Sequence, residues 1–123
     1  MPYTLKITDE FLGIEWYGVL TPQDLTAIGQ DLPRIGRNLG HALHVLHTFD
    51  AVTRIDFDPL AAYHHTIRRE DIHIPQAVKS AAVAKTPEVF AMARMMQELN
   101  RNPMIEMRVF DADADALAWI CGP

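Results

Sequence analysis

Apolar and polar residues alternate along Tyr3–Thr8 and again along Leu12–Leu20, the period-two pattern of half-buried strands. In the second run Ile14, Trp16 and Gly18 fall on one face, and Glu15 and Tyr17 on the other. Asp9 to Gly13 is short enough to join the two as a hairpin, with the first strand at an edge. Three apolar runs then end in one kind of signal: Thr21-Pro22, Asp58-Pro59 and Thr86-Pro87. Each places a side-chain oxygen at an N-cap and a proline in the first turn, where its missing N–H costs nothing. The chain therefore runs strand then helix, several times over.

The first predicted helix starts at Thr21, with Asp24 three residues on as a weak capping box and Leu25, Ile28 and Leu32 as its apolar stripe. His41–Phe49 is apolar on both faces, as a central strand covered on two sides should be. Asp50–Phe57 reads as a loop, and Asp58-Pro59 opens a second helix through about Arg69, with Leu60, Tyr63 and Ile67 inward. A connector, Glu70–Gln76, leads to an alanine-rich strand over Val78–Lys85. Thr86-Pro87 opens a third helix carrying Val89, Phe90, Met92, Ala93, Met96 and Leu99. Ile105–Phe110 is a fifth strand, and Ala112–Ile120 a last helix whose acidic start, Asp111, Asp113 and Asp115, suits the positive helix end. The expected fold is α/β, a mixed sheet of about five strands with four flanking helices in the order ββαβαβαβα, all in one domain over residues 1–123.

Composition narrows the function. A net charge of −5 lacks the basic character of a nucleic-acid binder, and no apolar run reaches the length of a membrane span. The start MPYTLKITDE has neither the basic nor the apolar region of a signal peptide, so the expected location is cytoplasmic. A single cysteine, Cys121, leaves no intrachain disulfide and no cysteine-based zinc site.

Ile105-Glu-Met-Arg-Val-Phe110, followed by Asp111-Ala-Asp-Ala-Asp-Ala-Leu-Ala-Trp-Ile120, resembles the closing strand and helix of the SpoIIAA-like (STAS/SEC14-type) family of largely uncharacterised bacterial proteins. The alanine-rich strand and Met-Ala-Arg helix at Ala81–Met96 resemble that family too, as does the element order over essentially the whole chain. The resemblance implies a mixed sheet flanked by helices. Anti-sigma-factor antagonists of the STAS class carry a phosphorylated serine in an Asp-Ser pair after the third strand. The matching stretch here, Thr48–Asp58, has no Asp-Ser, and the only serine is Ser80 in the fourth strand. Thr48 and Thr53 are the chemical substitutes, without the motif.

Catalytic and metal templates fit poorly. There is no Gly-x-Ser-x-Gly elbow, Walker loop or His-Glu-x-x-His, and Gly36–Gly40 has the wrong spacing for a dinucleotide fingerprint. On a strand His41 and His47 share a face roughly 20 Å apart while His44 points the other way, which is too wide for one metal ion. No cofactor or metal is expected. His64 and His65 project about 100° apart on a helix, so one faces water.

A pocket is the more physical candidate. Ligands of open α/β sheets lie beyond the carboxyl ends of the strands, where helix N-termini present free N–H groups. Those ends bring together Thr21, Thr48, Asp50 and Thr86, and Arg54 in the following loop offers charge to an anion. Thr21 and Thr86 are also explained as simple caps, whereas Arg54 is not. Met92 and Met96 offer an adaptable apolar lining, although a helix on a sheet needs such a stripe for its core anyway. The expected role is a non-catalytic binding or regulatory module, acting on a protein partner or small ligand. The alternatives are a carrier of an apolar or lipid-like molecule in the SEC14 manner and an enzyme with an unrecognised site. The exposed edge at Tyr3–Thr8 leaves room for a homodimer.

Overall fold

The computed structural model describes residues 3–21, 23–24, 27–28, 31, 34–35, 44–56, 77–100 and 103–122. Alternation in the first two runs becomes β1 (Tyr3–Ile7) and β2 (Phe11–Leu20), paired antiparallel with Tyr3 opposite Trp16 and Ile7 opposite Leu12. The turn is built on Thr8. Its hydroxyl accepts from the N–H groups of Glu10 at 3.3 Å and Phe11 at 3.0 Å, and its own N–H donates to the Phe11 carbonyl at 2.9 Å.

β3 (His44–Ile55), β4 (Val78–Val83) and β5 (Ile105–Phe110) follow in parallel, giving a five-stranded mixed sheet in the order β1-β2-β3-β4-β5. Two helices complete the bounded elements, α1 (Pro87–Leu99) and α2 (Asp113–Cys121). Gln23, Asp24, Ala27, Ile28, Asp31, Arg34 and Ile35 are also helical, where Thr21-Pro22 predicts a helix. The stretch from Asp58-Pro59 through Gln76, with His64 and His65, lies outside the described residues, as does His41.

The predicted loop after Phe49 is a correction. β3 continues through Asp50-Ala51-Val52-Thr53-Arg54 to Ile55, because the ten-residue β2 supplies a ladder long enough to hold it. The match needs two extra residues on β3. Register passes from Glu15↔Thr48 to Tyr17↔Ala51, and again from Gly18↔Val52 to Val19↔Arg54. Gly18, at φ +73°, sits at the second shift in backbone space that a side chain disfavours.

The sheet has a core on each face. Leu12, Ile14 and Trp16 of β2 and Val45 of β3 join Ile28 and, from α1, Val89 and Met92 in the larger one. Leu46 of β3 and Ala81 and Val83 of β4 join Ala116 and Ile120 of α2 in the other. The adjacent Val45 and Leu46 thus enter opposite cores, as the two-sided apolarity of this strand predicts. Ala81 and Ala116 are fully buried, which lets α2 lie close across β3, β4 and β5.

Candidate functional site

The end of β3 and the start of α1 face one another across an open cleft of about 310 Å³, lined by Val52–Ile55 and Thr86–Val89. Thr86 is the N-cap of α1; its side chain accepts the Val89 N–H at 3.3 Å, and Pro87 is the first helical residue. Arg54 stands on the opposite wall, 3.6 Å from Asp56, with both side chains well exposed. An exposed pair of this kind contributes little to stability, so its guanidinium is cheaply turned to another anion. Glu88 adds an acidic group at the helix side of the rim. The cleft is chemically mixed: one cation, one anion and hydroxyls over Val52, Ile55, Pro87 and Val89.

Of the sequence candidates, Arg54, Thr53 and Thr86 come together here. Asp50 stands apart with Lys85, whose ammonium lies 3.3 Å from Asp50 and 3.5 Å from Asp113. The bond to Asp50 is the chief reason the Lys85 pKa is raised. This contact ties β3 to the start of α2, and no local pattern announces Asp113 as a partner. Thr21 is engaged in its cap: its N–H and hydroxyl donate to the Asp24 carboxylate at 2.8 and 3.0 Å. Thr48 is half-buried in β3 between Glu15 and Val83. Met92 and Met96 are buried, Met92 within the larger core.

The histidines of β3 have structural partners. His47 Nδ1 accepts the indole N–H of Trp16 at 3.0 Å, inside a group of near-parallel rings formed by Trp16, His47 and Phe49. Tyr3 closes that group against Trp16 and donates its phenol proton to Asp31; burial, with this bond second, pushes the phenol pKa up to about 12. His44 Nδ1 accepts the Lys79 backbone N–H at 2.9 Å, just before the β3–β4 ladder begins at Val45↔Ser80. This acceptor must be unprotonated, and burial followed by the Lys79 charge lowers the His44 pKa.

A depressed histidine pKa has a definite sign in stability. Above the unfolded value of about 6.5 both states are neutral and nothing is lost. As pH falls below it the unfolded chain takes up a proton that the folded chain refuses, and stability drops until the folded pKa is passed. Urea unfolding between neutral pH and pH 5 should therefore show a smaller loss in His44→Gln than in the wild type. An equal loss in both would remove His44 as a contributor.

No protein-family model matches the sequence, and no curated protein matches it. Among solved structures the chain is similar to an uncharacterised protein of the DUF3478 family with a SpoIIAA-like fold, from Shewanella loihica PV-4. The TM-score is 0.57 at 14% identity, over 97% of this chain and 92% of that one.

Proposed function

We propose, from the premise that this chain has a SpoIIAA-like fold, that it is a small non-catalytic binding or regulatory module. The cleft between the end of β3 and the start of α1 is its contact site. The observation that carries this reading is the position of Thr53 and Arg54 on that cleft, in the last residues of the parallel strand β3, with Thr86 beyond the carboxyl end of β4. Ligands of open α/β sheets collect at such ends. The matching occupant is small and anionic with an apolar part, its charge on Arg54 and its apolar part on Val52, Ile55 and Val89.

Phenyl phosphate is a suitable probe. Its titration should shift the amide resonances of Val52–Ile55 and of Thr86, Glu88 and Val89, and Arg54→Gln should weaken the response about tenfold, as loss of a charge-assisted bond does. Shifts scattered over the surface, or a response unchanged in Arg54→Gln, would sink the reading. The apolar-carrier alternative draws less support, because Met92, offered by sequence as lining, is packed in the core.

A further inference from the structure

The two edges of the sheet are treated differently. On β5 the carbonyls of Met104, just before the strand, and Phe110 accept from Val78 and Ala84 beside β4, so the alternate carbonyls of Ile105 and Met107 point outward. Both are covered: the Asn100 amide donates to Ile105 at 2.9 Å, and the Gln97 amide to Met107 at 2.9 Å. β1 has no such cover among the described residues, and Thr4, Leu5, Lys6 and Ile7 are all exposed. Leu5 and Ile7, at 39% and 53% exposure, are among the large apolar side chains most open to water.

The hairpin fixes which groups β1 offers. Thr8 donates its N–H to the Phe11 carbonyl across the turn, so by alternation Thr4 and Lys6 turn their backbone groups to β2. Tyr3, Leu5 and Ile7 turn theirs outward. A bare edge with outward backbone groups and exposed apolar side chains is a template for another strand.

We propose that β1 pairs antiparallel with β1 of a second copy, about a two-fold axis at Leu5, to make one continuous sheet. The pairs are Leu5 with the partner's Leu5 and Ile7 with the partner's Tyr3, each exchanging two backbone hydrogen bonds. Their side chains lie on one face, where Leu5 and Ile7 leave water. On the other face Lys6 falls opposite the partner's Thr4, beyond which lies the partner's Glu15, because Thr4 and Glu15 are register partners. Two strand spacings, roughly 9.5 Å, are within reach of a lysine and a glutamate together. Among the described residues neither Lys6 nor Glu15 makes an ion pair within its own chain. The two-fold therefore forms this charge pair twice, which selects a second copy of this chain as the occupant. The inference does not depend on the cleft.

Sedimentation velocity with native mass spectrometry tests it. The wild type should be a dimer in the micromolar range, since a five-residue strand pair is a small interface. Leu5→Lys, which puts two like charges on the axis, should be a folded monomer by circular dichroism and sedimentation. Lys6→Glu and Glu15→Lys should each weaken the dimer about tenfold or more through like-charge contacts. Mixing these two variants should restore a mixed dimer, because each then meets its opposite charge only across the interface. A wild type that stays monomeric at millimolar concentration overturns the proposal and leaves the edge to a strand of another protein. So does a Leu5→Lys dimer of wild-type strength, or a mixture that stays monomeric.

Discussion

Trp16→Ala should cost the fold about 3–5 kcal/mol, the range for removing a large aromatic side chain from a core. Trp16 is 1% exposed and lies 5.1 Å from the Tyr3 ring, 6.2 Å from His47 and 6.3 Å from Phe49, measured between centroids. One side chain thereby joins β1, β2 and β3. Its loss removes the packing of all three rings and the donor to His47. Trp16→Phe keeps an aromatic body and gives up the indole N–H, so its cost should be well under half as large. Urea unfolding of the two variants beside the wild type measures this. A Trp16→Ala loss below about 1 kcal/mol, the scale of an ordinary surface or mild change, would mean that the aromatic group does not hold the three strands together.

The second large effect lies on the opposite face, where the fold depends on small residues. Ala81 and Ala116 are both fully buried where α2 crosses β4. Ala81→Leu puts a branched side chain where α2 now sits, and overpacking of this sort costs about 1–3 kcal/mol. The displacement should be visible at Trp119. That ring lies 5.7 Å from Phe110, with the Lys79 ammonium 5.5 Å and the Arg108 guanidinium 5.0 Å from its centre. Lys79 also holds the end of the helix, donating to the carbonyls of Trp119 at 2.9 Å and Gly122 at 3.3 Å. Ala81→Leu should therefore lower the melting temperature and change the near-ultraviolet circular dichroism together. Ala118→Leu, on the exposed side of α2, should change neither. Equal behaviour of the two variants would show that close approach of α2 to β4 is not what the alanines provide.

Much of this architecture is legible in short stretches of sequence. Alternation marks β1 and β2, and Thr86-Pro87 marks the start of α1, where the threonine does accept the Val89 N–H. The resemblance of Ile105–Ile120 to SpoIIAA-like proteins is matched by a SpoIIAA-like fold. The candidate site is legible only in part. Arg54 is conspicuous because no cap or core role explains it, and it does line the cleft with Thr86. Asp50 is drawn instead to Lys85, and Thr21 to Asp24, by contacts that a list of polar residues at strand ends does not rank.

Local chemistry, then, marked elements among the described residues: side-chain period marks β1 and β2, and an oxygen followed by proline marks the start of α1, since both act within one or two turns of chain. The tertiary structure decided how far β3 runs, because Ala51–Ile55 is paired along the second half of β2, whose length is not recorded in the pattern of β3 itself. It also decided which edge is open. The Ile105 and Met107 carbonyls of β5 are covered by amides from the end of α1 and its C-cap, and among the described residues β1 has no such cover, which depends on where a helix ends in space. Hydrogen bonds between strands join residues distant in sequence, and no pattern within one strand records the length of its neighbour.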